Sequence, residues 1–262
     1  MKYLLFFNLF SFLLISAQRH EIGAMAGSSN LIGDIGRSDY IQLGSEGITR
    51  TPLMLGAFYK RNLNPYQGIK LSFSSHYVYF NDYKAKETYR NKRGIENSSN
   101  ILEASLSFEY NFFPINNEIK NSMWSPYVFA GVSGILYNIP STSYTVESSN
   151  NAYIISSKIQ TLTNKYSLAI PFGVGMKYKF NYNWTIYGEL SLRYTFTDNL
   201  DYNNIENTIY KVSYQNETEN AKEAFKQFIE NNKAGNIHSK DWLNSVSIGI
   251  SYSFGRPPCY CN

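Results

Sequence analysis

Three histidines, His20, His76 and His238, are the only acid–base groups at neutral pH in this chain of 262 residues. His238 lies close before Asp241, and Asp198 and Asp201 open the same polar segment, so a surface hydrolase or a metal site there would draw on these four side chains. The plain alternative is a set of polar residues at the rim of a larger structure. No nucleophile elbow, HExxH, P-loop or CxxC pair occurs. Gly33-Asp34-Ile35-Gly36 reads as a tight turn, too short for a nucleotide site. Eight further charged residues, Glu21, Lys70, Glu103, Glu109, Lys177, Lys179, Glu189 and Arg193, recur at alternate positions of strand-like runs, four acids against four bases. That balance suits charge pairing inside a wall. Neither a catalytic group, a metal nor a cofactor is expected from it.

The elements that carry these residues are period-two segments. Near the end of the chain Trp242, Asn244, Val246, Ile248, Ile250, Tyr252 and Phe254 alternate with Leu243, Ser245, Ser247, Gly249, Ser251 and Ser253. One face is bulky and ends in aromatics; the other is Ser and Gly. A lipid-facing barrel strand has this pattern, with its aromatics at headgroup level. Eight such segments occur: 21–27, 52–61, 68–80, 101–113, 124–137, 168–180, 185–197 and 242–254. Their connections alternate between short ones (62–65, 114–123, 181–183) and long ones (28–51, 81–100, 138–167, 198–241). An all-β, eight-stranded antiparallel transmembrane barrel follows, with short periplasmic turns, long extracellular loops and both ends on the periplasmic side. A soluble β-sandwich is the other fold with this periodicity.

Composition agrees with the membrane reading. The chain holds 23 Tyr and 17 Phe but only 3 Trp, its mean hydropathy is −0.34, and no run after the first residues approaches the roughly 20 apolar residues of a membrane helix. Met1-Lys2, the apolar run Tyr3 to Ile15 and Ser16-Ala17 read as a cleaved signal peptide, residues 1–17, followed by a barrel over 18–254 and a periplasmic tail over 255–262. The net charge of +4 is spread along the chain, without a basic run interleaved with aromatics, which speaks against nucleic acid.

Facing is readable in three strands. Leu102, Leu106, Phe108, Tyr110 and Phe112 point outward in the fourth, with Glu103, Ser105, Ser107, Glu109 and Asn111 inward. The sixth and seventh turn Lys177, Lys179, Glu189 and Arg193 inward, and Pro171 on the inner set predicts a bulge. The second and fifth strands do not declare their faces. Glu189 and Arg193 are expected to pair with charges on neighbouring strands, in a lumen just wide enough for its own side chains. Within 198–241, Ala221, Ala224, Phe225, Phe228 and Ile229 fall at helical spacing, which predicts a short amphipathic helix lying over the barrel mouth as a lid or serving as a docking site. The 138–167 connection offers nothing specific.

The chain also resembles the PorG-like outer-membrane barrels of the type IX secretion system of Bacteroidetes. The likeness runs through Asn30 to Gly36, Arg93-Gly94, Phe108 to Phe113, Pro126 to Gly131, Pro171 to Gly175, Arg193 to Asp201, Asp241-Trp242 and Phe254 to Cys261. Its most specific parts are Thr197-Asp198-Asn199-Leu200-Asp201 and the ending Cys259-Tyr260-Cys261. The expanded, asparagine-rich last loop departs from the family pattern. The resemblance implies a non-enzymatic component of a protein-export machine, associated with a periplasmic ring of a lipoprotein and its partner subunit (PorK and PorN, or GldK and GldN in gliding species). A small barrel that binds or admits a ligand is the competing class. The expected periplasmic face comprises Arg19 and His20, the short turns with Lys60, Arg61, Lys120 and Lys179, and the tail with Arg256, Cys259, Tyr260 and Cys261. The two thiols either bridge each other, which their spacing permits, or tie the tail to a ring subunit.

Overall fold

Alternating side chains require each strand to find partners on both edges, because a membrane offers no water to satisfy backbone groups. The computed structural model describes residues 19–34, 36, 51–93, 96–115, 123–149, 152–201, 210–232 and 240–255. It meets the requirement with β1 (His20–Ile32), β2 (Leu53–Asn62), β3 (Gln67–Asn81), β4 (Glu96–Asn111), β5 (Met123–Ser149), β6 (Ala152–Lys179), β7 (Trp184–Thr195) and β9 (Trp242–Phe254). Neighbours are antiparallel throughout, β1 pairs with β9, and β4 pairs with β5, so the eight strands close on themselves. The signal segment, the tail with Arg256, Cys259, Tyr260 and Cys261, His238 and Lys120 lie outside the described residues.

The outer wall is apolar. Ile22, Leu55, Leu71, Leu106, Val132, Val174, Ile186 and Ile248 are all 40 % exposed or more. Near the short turns an aromatic belt gathers Tyr59, Tyr66, Tyr110, Phe112, Phe113, Trp124, Tyr178, Trp184 and Phe254. At the opposite end Tyr194 packs edge-on against Phe196 and Trp242. A band of aliphatics between two aromatic girdles is what a bilayer selects.

Several sequence expectations are corrected. β1 runs five residues past Gly27, to Ile32. Pro171 produces no bulge: its pairing with Arg193 is regular, and the β5–β6 register is the same on either side of it, because the missing N–H leaves only a gap on the β5 side. The register shift falls between Ser141 and Thr142 instead. The 138–167 connection is not a loop. β5 and β6 continue as a paired hairpin to Ser149 and Ala152, beyond the last β4 partner at Tyr137. A ninth strand, β8 (Tyr210–Tyr214), lies parallel to Thr142–Val146 of this extension, outside the barrel.

The expected helix is present as α2 (Glu219–Asn232), following α1 (Thr88–Arg93) in chain order. Thr218 Oγ1 accepts a hydrogen bond from the Ala221 N–H at 3.2 Å and caps the first turn. The apolar stripe does not cover the barrel mouth, however. Ala221 and Phe225 bury against Val146, with Tyr144, Ile155, Val212, Tyr214, Phe228 and Ile229 around them. The hairpin offers this helix an apolar face, and the rim has other occupants.

Candidate functional site

The lumen is built from the inward residues of every strand. Glu21, Lys70, Glu103, Glu109, Lys177, Lys179, Glu189 and Arg193 are all on the inner wall, each 6 % exposed or less. Lys60 joins them at 1 %. Near the short turns, Lys60 Nζ stands 2.5 Å from Glu21 Oε2 and 3.4 Å from Glu109 Oε1. Lys177 pairs with Glu109 and donates to Asn111 Oδ1 at 3.0 Å. Ser251 Oγ donates to Glu21 at 2.5 Å. Lys179 lies with its Nζ 5.7 Å from the Tyr182 ring centroid, and the Arg19 guanidinium sits 4.8 Å from the same centroid.

The pairs of β7 reach across the barrel, which corrects the expectation of partners on neighbouring strands. Lys70 Nζ on β3 is 2.6 Å from Glu189 Oε2 on β7. In the closed order these strands stand on opposite walls. The Tyr127 hydroxyl donates to the same carboxylate at 2.8 Å, and the Lys70 ammonium rests 4.7 Å from the Phe129 ring centroid. Arg193 Nε donates to Glu103 Oε2 at 2.6 Å and its Nη1 to Ser245 Oγ at 2.9 Å. A layer of Met25, Met54, Phe58 and Tyr187 fills further space. The result is a packed interior.

Strands two and five now show their faces. Met54, Phe58 and Lys60 point inward in β2, as do Tyr127, Phe129, Ile135 and Tyr137 in β5. Large inward aromatics made both faces of these segments bulky, which hid the alternation. Glycine on facing strands makes the space: a Cβ at Gly175 would collide with the Tyr127 ring, and one at Gly249 with Tyr187. Lys60 was missed as a lumen residue for the same reason. The signal was its even spacing from Phe58 and Met54, two and six residues before it. The basic periplasmic face is correspondingly reduced, since Lys60, Lys179 and Arg19 are buried rather than displayed.

Among the histidines, His76 is fully buried, bonded through Nδ1 to Ser29 Oγ at 2.7 Å and through Nε2 to Ser74 Oγ at 2.8 Å, with Glu103 at 3.2 Å. The Ser, His and Glu contacts resemble a hydrolytic set, yet both ring nitrogens are engaged and the site is enclosed. It is a structural crosslink. His20 stacks between Tyr59 and Phe254 at the outer edge of the belt. Among the described residues no three His, Cys, Asp or Glu side chains are grouped to hold a metal.

The long-loop end is closed by an apolar layer of Leu31, Val78, Phe80, Ile101, Ile135, Tyr137, Ile139, Ala169, Leu243 and Leu200. Leu200 comes from the segment after β7 and is completely buried. Beside it Asp201 and Asp241 are also buried, at 0 and 1 % exposure. Asp201 Oδ2 accepts from the Asp34 N–H, and Asp241 Oδ2 from the Leu200 N–H, both at 2.8 Å. Arg90 of α1 donates to the Gly33 and Gly36 carbonyls at 3.1 and 2.9 Å, and Asp82 Oδ1 accepts from the Gly36 N–H at 2.8 Å. Gly36 has φ +88°, a conformation that glycine adopts without strain. Burial and the neighbouring Asp34 push the Asp198 carboxyl up to about 6. Burial and Asp201 raise Asp241 further above the carboxylate range.

These features define a class: a membrane-spanning, eight-stranded β-barrel of the outer-membrane type with a filled lumen. The chain belongs to the family described as "Domain of unknown function (DUF6089)", which matches residues 1–262. No curated protein matches it in sequence. Among solved structures it is similar to the N-terminal β-barrel domain of OprF from Pseudomonas aeruginosa, at 13 % identity and a TM-score of 0.42, over 90 % of this chain and 97 % of that one. It is likewise similar to the attachment invasion locus protein Ail of Yersinia pestis, at 12 % identity and a TM-score of 0.42, over 91 % and 100 % of the two chains. For the Neisserial surface protein A the values are 14 % and 0.42, over 91 % and 98 %.

Proposed function

We propose that this chain is a non-enzymatic barrel of the type IX protein secretion system, and of gliding motility where that occurs, working in the outer membrane of a member of the Bacteroidetes. Exported through a cleaved signal peptide, it associates on its periplasmic side with the ring of lipoprotein and partner subunit, of the PorK/PorN or GldK/GldN type. The sequence resemblance supports this reading, above all Thr197 to Asp201 and the Cys259-Tyr260-Cys261 ending.

The observation that carries it is the Lys70–Glu189 bridge of 2.6 Å between opposite walls. A lumen closed at that level is not a conduit for a passenger, nor a cavity for a ligand, so the work falls to the two ends. His76, enclosed in the lumen with both ring nitrogens engaged, is a structural group, and His238, on which a surface hydrolase would depend, lies outside the described residues. Affinity isolation of the tagged barrel from outer membranes tests the reading. Ring lipoprotein and partner subunit are expected in the eluate, with loss of both after removal of 255–262 if the tail is the attachment point. An eluate of intact barrel that lacks the ring subunits overturns it.

A further inference from the structure

Between the Lys70–Glu189 bridge and the apolar layer at the long-loop end, the inner wall changes composition. Along β3, Ser72 and Ser74 follow Lys70 before Val78 is reached; along β5, Ser133 separates Phe129 from Ile135. Ser105 on β4, Ser191 on β7 and Ser245 on β9 complete the stratum, and all six serines are buried. An eight-stranded barrel is just wide enough for its own side chains to fill. Serine supplies little of that volume, and the long side chains entering here from β3, β4 and β7 are His76, Glu103 and Arg193.

Hydrogen bonding in this stratum is lopsided at Glu103. Its Oε2 accepts from Arg193 Nε at 2.6 Å and from Ser74 Oγ at 3.2 Å, and stands 3.2 Å from His76 Nε2. Its Oε1 is buried with no hydrogen-bond partner among the described residues, and so is Ser191 Oγ. The two residues are 4 and 2 % exposed. They belong to one cluster. Arg193, two residues on from Ser191 along the inner face of β7, donates through Nη1 to Ser245 Oγ at 2.9 Å, and Ser245 is the cross-strand partner of Ser191. A buried acceptor or donor left without a partner bears its full desolvation penalty, and a carboxylate oxygen bears more than a neutral one.

We propose that this stratum is an enclosed hydration site, in which ordered water donates to Glu103 Oε1 and accepts from the Ser191 hydroxyl. Water suits the pair because it is donor and acceptor at once, and a polar pocket of small side chains is where buried water is retained. A metal ion does not suit it. Arg193 already neutralises the carboxylate, and a second positive charge beside the guanidinium would be repelled in a low-dielectric interior. The Lys70–Glu189 layer lies on one side and the apolar layer with Leu200 on the other, so the water is part of the fold and no conducting path. The site depends on no partner at either end of the barrel.

The test uses the full chain, isotopically labelled, in lipid bilayers, with magnetisation passed from water protons to protein carbons in magic-angle-spinning NMR. The Glu103 carboxyl carbon should be polarised at transfer times at which the buried Ile101 and Ile135 side chains remain dark. Ser191→Ala leaves the space open and should keep the transfer. Ser191→Val occupies the place of the water, so it should abolish the transfer and lower the urea midpoint in micelles. A Glu103 signal as dark as that of Ile135 in the folded parent overturns the proposal. Loss of transfer in Ser191→Ala also overturns it, by making the hydroxyl the source of the signal. The same holds if Ser191→Val keeps the transfer or raises the midpoint, which marks a dry void. A transfer that disappears when choline replaces sodium assigns a cation to Oε1 and overturns it too. Should Ser191→Val not fold, the parent and Ser191→Ala decide by themselves.

Discussion

In the lumen, Glu103 meets Arg193 at 2.6 Å and His76 at 3.2 Å, whereas at the rim Asp201 and Asp241 each accept a backbone N–H, from Asp34 and from Leu200, at 2.8 Å. Both regions bury acids. The lumen neutralises them with cations from neighbouring and opposite strands, so its charges act as crosslinks within the barrel. The rim engages them with backbone N–H groups, and burial beside neighbouring carboxylates raises Asp198 and Asp241 above the usual carboxylate range. Burial of a carboxylate thus fixes only that it must be compensated, and the identity of the compensating group decides whether the region is static or responsive.

The sharpest way to break this contrast is to orphan a lumen charge. Glu103→Leu leaves Arg193 without its carboxylate and should destabilise the barrel by on the order of 3 to 5 kcal/mol, read as a lowered urea midpoint in micelles. Adding Arg193→Leu should restore most of the loss, because the pair then disappears together. A single mutant as stable as its parent would remove the lumen from the paired class.

Leu200→Ala should cost about 2 to 4 kcal/mol, but at the rim alone. Protease cleavage within the last connection should accelerate while the heat-modified migration of the barrel stays unchanged. If the whole barrel lost stability instead, the rim and lumen would be one cooperative unit and the comparison would fail.

Asp198→Asn is a smaller change whose value lies in its pH dependence. Asp198 is pushed up to about 6 in the folded rim, against an ordinary value of about 4 once the rim opens, so the closed rim weakens as pH rises from about 4 to about 6 and changes little beyond. The variant should lie within about 0.5 kcal/mol of the parent at about pH 4 and be the more stable of the two above about pH 6, measured by rim proteolysis. The opposite order would mean that Asp198 is stabilised as an anion.

Phe225→Ala should have the least effect on the barrel, within about 0.5 kcal/mol of its unfolding free energy, since Phe225 packs on the hairpin extension and β8. Helix α2 should nonetheless become a protease target. That outcome would separate the extension, as an appended unit, from both regions compared above.

Much of this molecule was legible in its chain. The strands of β4, β6 and β7 could be faced from sequence because small or charged residues alternate there with aliphatic ones, as in Leu102-Glu103-Ala104-Ser105-Leu106. β2 and β5 could not, because Phe58, Tyr127 and Phe129 fill the lumen while Tyr59, Trp124 and Val128 face lipid. Both faces are then bulky, and the glycines that accommodate the inner rings sit on other strands. The helix of the last connection was visible in its apolar spacing, but its docking surface was not. That surface is the β5–β6 extension, whose Ser, Thr and Asn content disguised two strands as a loop.

By itself the sequence determined the number of barrel strands, the parity of the connections and eight of the charges on the inner wall, Lys60 excepted, because each depends on local periodicity, which is written residue by residue. Only the tertiary structure decided which charges meet. Lys70 and Glu189 are far apart in the chain and on opposite walls, and the register that brings them to 2.6 Å is set by all the ladders at once. The same holds for Asp201, Asp241 and Gly33, three residues from distant segments whose meeting depends on closure of the barrel.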